Sequence, residues 1–398
     1  MARTVPSRTR SLGGTRPPGG NEAAPAALAA PAHSPDGLLL FALAGLVSVG
    51  MIMVYSATAH AGGFDVARKM LFQFGMGGIG LVTGLLLPVG QWRKLAPLAL
   101  IACALALGSL LVEANPLAIT SGGATRWLGF GGFTVQPSEF AKLAFVLFAA
   151  HFLERRGPKM QLFRGYKFWT GFIAVFGTLA VLIAVEDLGT ALVFGGTAFC
   201  VLWAAGADWK ALIVGVAIAG LLVSGSVRAR PHQAERIRSW ENPWAYHQDE
   251  GFQVIQSWMA LARGGWMGVG LGQSLQKLDN RLPEAETDFI FAVIAEELGL
   301  IRATGVILLF VLFAWRGYAI AARAPDRYTS LLATGVTSWI SLQAGLNLGV
   351  VTGTIPNTGV PLPFISSGGS SLLALLMAVG ILVAISRRTV LDQKEAIS

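Results

Sequence analysis

Ten apolar stretches, at about 37–58, 70–90, 95–113, 138–153, 168–185, 188–205, 210–226, 289–315, 328–351 and 371–386, leave this chain few folds to choose from. A helix needs ~20 apolar residues to cross a bilayer core, and most of these runs approach that length. The expected fold is an all-α polytopic membrane protein with ten transmembrane helices. Composition agrees: 54% of the 398 residues are hydrophobic and 13% are charged, against roughly 25% charged in a soluble globule. The net charge of +8 is read as Lys and Arg holding short loops in the cytoplasm, with no nucleic-acid partner. Cys103 and Cys200 lie inside apolar runs and are read as packing residues.

An even number of spans puts both termini on one side. Arg93 and Lys94; Arg155, Arg156, Lys159, Arg164 and Lys167; Lys210; Arg316, Arg323 and Arg327; and Arg387, Arg388 and Lys394 fall in alternate connections, which marks those as cytoplasmic. Residues 1–35, rich in Pro, Gly, Ala and Arg and without an apolar core of signal-peptide type, read as a disordered cytoplasmic tail. The membrane domain is then 36–388, followed by a short cytoplasmic tail, 389–398. No internal repeat is evident. Three outer loops remain, 114–137, 227–287 and 352–370, the largest lying between the seventh and eighth spans. In that loop "FQVIQSWMALARGG" has the spacing of an amphipathic helix, lying either on the outer membrane surface or against the bundle. The glycine-rich "GGWMGVGLGQSLQKL" after it lacks the GKS or GKT of a phosphate-binding Walker loop.

Each outer loop carries more polar residues than a connector needs. In "GGATRWLGFGGFTVQPSEFAK", Ser138 is placed to cap the fourth span, and Glu139 and Lys142, three apart on its first turn, can pair. In "EDLGT", Asp187 is either a helix cap or a binding group. In "PNTGVPLPFISSGGSS", Ser366, Ser367, Gly368, Gly369 and Ser370 crowd the start of the last span, where backbone amides suit an anion. The densest acidic stretch is "RLPEAETDFIFAVIAEELGL". There Thr287 or Asp288 should cap the eighth span, with Asp288 ionised near neutral pH at the outer surface. Glu296 and Glu297 follow on the same helix, Glu296 about 12 Å deeper. They are read as hydrogen-bonded within the bundle, with a proton relay as the alternative.

These segments, in this order, resemble the motifs of the SEDS family, the shape, elongation, division and sporulation proteins. "RWLGFGGFTVQPSEFAK", "DLGTA", "GFQVIQSWMALARGGWMGVGLGQSLQKL", "LPEAETDFIFAVIAEELG" and "TGVPLPFISSGGSS" carry the likeness over roughly 38–388. "GVGLGQSLQKL" with "LPEA" is closer to the division branch, FtsW, than to the elongation branch, RodA. The resemblance implies the SEDS fold and a peptidoglycan glycosyltransferase of the cytoplasmic (inner) membrane, acting at the division septum. Its substrates would be lipid II and a lipid-linked glycan. Its partners would be a class B penicillin-binding protein with transpeptidase activity and other division proteins. It also implies that Asp288 is the essential acid, that Glu139 and Lys142 are the family's polar pair, and that Arg126 is its basic loop position. Two departures stand out: Glu286 where the family usually has His, and Glu186 where it usually has Pro. Both add acid near Asp288, which would raise its pKa or favour a divalent cation, Mg or Mn. The competing readings are a lipid II flippase, which membrane carboxylates fit equally, and a division scaffold.

Overall fold

The computed structural model describes residues 34–58, 63–112, 115–121, 124–130, 133–154, 166–229, 231–248, 250–277 and 282–389. A helix covers each of the ten apolar runs: α1 Gly37–Thr58, α2 Gly63–Leu86, α3 Val89–Leu110, α4 Pro137–Glu154, α5 Tyr166–Glu186, α6 Leu188–Ala204, α7 Trp209–Ala229, α10 Ile290–Ala322, α11 Arg327–Val351 and α12 Gly369–Ser386. Among the described residues five of them, α1, α2, α3, α10 and α12, are long and apolar enough on their own to cross a membrane. The second helix starts before its apolar run and ends early because Pro88 stands at the N-cap of α3. The outer loop 227–287 is itself largely helical, with α8 Pro231–Glu241 and α9 Glu250–Gly264. The all-α expectation lacked one feature. A three-stranded antiparallel sheet, β1 Ala118–Ser121, β2 Ala124–Phe130 and β3 Phe133–Val135, occupies the first outer loop. Its register pairs Leu128 with both Ala118 and Val135.

Helix packing fixes the levels of the bundle. The chain's two helical ends meet where the Asp36 amide donates to Ser386 Oγ (3.3 Å). α1 runs antiparallel to α10. Asp36 pairs with Arg316 at one end, Gly45 packs on Leu309 in the middle, and the Ser56 hydroxyl donates to Glu297 (2.7 Å) at the other. At 1.5 Å rise per residue the two polar contacts lie about 30 Å apart, one hydrocarbon thickness. α2 and α12 lie side by side so closely that Gly84 touches the Met377 carbonyl and Gly380 the Leu81 carbonyl. Such small-residue seams replace the hydrophobic driving force that lipid cannot supply.

α10 is broken at Gly299, which has φ 79°. The two pieces, 290–298 and 300–322, run in roughly opposite directions. Glu297 is level with the outer end of α1. Asp288, at the start of the first piece, is held through its carbonyl by Asn347 Nδ2 (2.7 Å), more than a turn inside the outer end of α11. Its neighbour Thr287 accepts from Ser366 (2.6 Å), in a loop whose Phe364 and Ile365 press against Gly50 of α1. These contacts put Asp288 roughly 6–9 Å closer to the bilayer centre than Glu297, within the ~13 Å length of the first piece. The segments before α10 and α12 are therefore re-entrant. Irregular backbone at this depth is tolerated because protein encloses it: Phe289 through Glu297 are all buried. The expectation that Glu296 lies deeper than Asp288 is reversed, since it assumed one unbroken helix.

The glycine-rich loop repairs the break. Val269 and Gly270 amides donate to the Glu296 and Glu297 carbonyls (3.0 Å each), while Leu300 and Ile301 amides donate to Gly265 and Trp266 (2.9 and 3.3 Å). Two orphan carbonyls of the first piece and two orphan amides of the second are thereby satisfied. Backbones must nearly touch for this, and a Cβ on Gly264, Gly268 or Gly299 would collide with the facing chain. α9 lies against the bundle: Ser257 donates to the Val351 carbonyl (2.8 Å) and Trp258 to that of Thr352 (3.3 Å).

Candidate active site

A cavity of about 930 Å³ opens among the sheet, α8, α9 and the two re-entrant segments. Its charged lining includes Arg126 from β2, Asp187 from the α5–α6 turn, Glu235 and Arg236 from α8, and Glu284 and Asp288 ahead of α10. Tyr246, Phe252 and Trp127 add aromatic surface. Neither Thr287 nor Asp288 caps α10. Its N-cap is Phe289, without a side-chain hydrogen bond, and the Thr287 hydroxyl donates to Glu284 (2.6 Å). Relieved of capping, the Asp288 carboxylate accepts no hydrogen bond among the described residues. A methyl group added to Gly359 would lie 3.5 Å from Asp288 Oδ2 and 3.9 Å from Arg126 Nη1. The carboxylate and the guanidinium thus flank one backbone position.

Burial pushes the Asp288 carboxyl up, the negative charges of Glu284 and Asp187 push it further, and Arg126 and Arg236 pull it back; the outcome is about 7. The expectation of a carboxylate fully ionised near neutrality, drawn from a helix N-terminus at the surface, gives way to a group that titrates there. Like-charge repulsion is part of the cause, but it comes from Glu284 and Asp187. Glu286 gives its carbonyl to the Ser367 amide (2.9 Å), and the Glu186 side chain lies outside the described residues. Asp187 is both cap and site residue. It accepts from the Thr190 amide and hydroxyl (2.9 Å each) and stands 3.7 Å from Arg126. Among the described residues no group of three or more His, Cys, Asp and Glu side chains is arranged to hold a metal.

The other expected residues sit behind the wall. Glu139 and Lys142 pair at 2.6 Å, both almost fully buried and outside the cavity lining. Lys142 also donates to Gln343 (3.0 Å) and lies 5.1 Å over the Trp339 ring, while Gln343 donates to the Pro361 carbonyl (3.0 Å). Ser371, which does line the cavity, donates to Glu139 (2.8 Å). Ser138 is no cap, because α4 already begins at Pro137. Of the serine–glycine group, Ser367 and Gly368 face the cavity. Ser366 bonds Thr287 and the Leu362 amide (2.6 and 2.7 Å), Ser370 donates to the Thr134 carbonyl (2.9 Å), and Gly369 packs on Gln73. The group is a knot that joins the sheet, the approach to α10 and α12. The basic loop 155–165 lies outside the described residues.

A family described as cell cycle protein, with FtsW, RodA and SpoVE as its members, matches residues 37–390. The chain belongs to this SEDS family. It is 41% identical to stage V sporulation protein E of Bacillus subtilis (strain 168) over 365 residues, 89% of this chain and 97% of the other. It is 38% identical to the probable peptidoglycan glycosyltransferase FtsW of Geobacter metallireducens, over 88% of this chain and 94% of that one. Among solved structures it resembles a chain from a study of structural coordination of polymerization and crosslinking by a peptidoglycan synthase complex. There the TM-score is 0.74 at 29% identity, covering 90% of this chain and 99% of that one. It also resembles the rod shape determining protein RodA of Thermus thermophilus, with TM-score 0.67 at 26% identity over 90% and 98% of the two chains. In this SEDS chain Arg236, Gln343, Asn347 and Ser371 are site or support residues that sequence reasoning did not single out. Gln343 and Asn347 had a legible signal, since amides inside an apolar span rarely go unpaired.

Proposed function

We propose that this chain polymerises lipid II into glycan strands at the outer face of the cytoplasmic membrane. Glycosyl transfer needs a base for the 4-hydroxyl of the acceptor sugar and positive charge for the departing diphosphate. Asp288, at about 7, is matched to the first task at neutral pH, where a base is both available and strong enough. Arg126 and Arg236, in the same cavity, suit the second. The Glu139–Lys142 pair acts as a positioning group, holding Ser371 and, through Gln343, the loop at Pro361. The membrane domain is 36–388, between two cytoplasmic tails. The observation that carries the reading is a carboxylate raised to neutrality beside a guanidinium on the floor of a cavity sunk into the outer half of the bundle.

The test is polymerisation of labelled lipid II by purified protein in detergent, where flipping has no meaning. Asp288→Asn should lose at least ~10²-fold in rate while folding normally. A variant with near wild-type rate would sink the assignment. The resemblance to the division branch implies a septal role, and the likeness to a chain of a peptidoglycan synthase complex that coordinates polymerization and crosslinking supports a class B penicillin-binding protein supplying crosslinks. The 41% identity to a sporulation protein favours a second stage for the same chemistry, wall synthesis in a differentiating cell.

A further inference from the structure

The glycine-rich loop that repairs the α10 break has a second face, turned away from the protein. Trp266, Met267 and Leu271 are 71%, 67% and 56% exposed. Their neighbours at the start of the second α10 piece, Leu300 and Ile301, are more than half exposed as well. The loop's backbone is bonded to residues 296–301, so this patch is continuous with the α10 face that carries exposed Leu308 below it.

The level of the patch is fixed independently. Glu297 meets Ser56, about 30 Å along α1 from the Asp36–Arg316 contact, one hydrocarbon thickness. Tyr55, next to Ser56, is exposed, so an aromatic belt position on α1 sits at the same height as Trp266. Arg302 lies just below this height yet donates upward, to the carbonyls of Met267 (3.1 Å) and Leu298 (3.4 Å). A guanidinium turned back along its helix toward the surface is how Arg behaves at a membrane boundary.

We propose that the loop 265–275 is a membrane-interface anchor, with Trp266, Met267 and Leu271 immersed in the outer leaflet. Lipid covers the patch: it continues a lipid-facing helix face at the depth where hydrocarbon ends. The buried carboxylates of Glu296 and Glu297, which accept from Ser274, Leu275 and Gly272 of this loop, then tie the re-entrant segment bearing Asp288 to a fixed height in the bilayer.

The experiment places a nitroxide at Met267→Cys or Leu271→Cys in a chain lacking Cys103 and Cys200. The protein is held in nanodiscs of phosphatidylglycerol and phosphatidylcholine, with no other protein present. Labels at Leu308→Cys and Glu241→Cys supply lipid and water references. Collisions with oxygen should exceed those with a polar nickel chelate at 267 and 271, in a ratio within about twofold of that at 308 and several-fold above that at 241. Two results would overturn the proposal. A ratio at both positions like that at 241 would put water on the patch. Shielding from both reagents would mean protein covers it, a second copy if dilution into more discs restores oxygen contact.

Discussion

The first piece of α10 has acids at both ends, and the two ends are built in opposite ways. At the outer end Glu296 and Glu297 are fully buried and saturated. Glu296 accepts from the Ser274 hydroxyl (2.5 Å) and the Leu275 amide (3.2 Å) and pairs with Arg263 (3.4 Å). Glu297 accepts from Lys277 (2.8 Å), Ser56 and the amides of Gly272 and Ser274 (3.1 and 3.3 Å). At the inner end Asp288 faces a cavity with its cations at a distance and no hydrogen bond to its carboxylate among the described residues. The saturated acids clamp a loop. The unsaturated one keeps its lone pairs for something outside the protein. Charge inside a bundle thus marks function only where its partners are incomplete.

The largest effect of a single substitution is expected at the clamp. Lys277→Met strips a buried carboxylate of its ammonium, which costs about 3–5 kcal/mol where a buried pair loses one partner. The expected outcome is a large drop in thermal unfolding temperature in detergent. Glu297→Gln added to it should recover part of the loss, because no uncompensated charge then remains. Equal melting of Lys277→Met and wild type would show that the clamp is not what holds the loop.

Asp288 should respond with the opposite sign. Its folded pKa, about 7, is above its ordinary value of 3.8. Any stability linked to its protonated form is fully present below pH ~4 and is lost as pH rises through about 7. Asp288→Asn keeps the neutral shape at every pH. It should therefore be more stable than wild type at pH 8, by roughly 1–3 kcal/mol once cavity solvent screens the full effect. The advantage should vanish near pH 4. Thermal melts of both proteins across that range check it, and a variant less stable at pH 8 would mean the aspartate is held for structure.

The ten helices were legible because hydropathy alone specifies a span, and Asp288 was legible as an acid out of place in an apolar chain. Its depth was not. Periodicity through "FAVIAEELGLIRATG" is continuous, and one glycine at φ 79° reverses the direction of the helix, a conformation that sequence does not distinguish from Gly305 in the unbroken part. The same ambiguity hid the roles of the serines. Ser366 and Ser370 carry the composition of an anion loop, yet their hydroxyls are spent on the carbonyls of Thr287 and Thr134. The sheet was missed because its strands are of only 4, 7 and 3 residues, broken by glycines.

The smallest expected effect comes from removing one neighbouring charge. Glu284 is the larger contributor of like charge to Asp288 and, unlike Asp187, it caps no helix and pairs with no arginine among the described residues. Among the described residues its exposed carboxylate is hydrogen-bonded to Thr287 alone. Glu284→Gln keeps an oxygen for that hydroxyl and removes one negative charge, so the Asp288 pKa should fall. If Asp288 acts as the base, the polymerisation rate rises with pH as it deprotonates. The acid limb of the profile, centred near 7 in the wild type, should then move to lower pH by about half a pH unit or less, because solvent screens an exposed charge. At pH 6 the variant should be the faster enzyme, by up to about threefold, and at pH 8.5 the two should be equal. Superimposable profiles would mean that the Glu284 charge does not reach Asp288, whose pKa is then set by burial, Asp187 and the two arginines. A shift to higher pH would mean that Glu284 serves the site in some way other than through its charge.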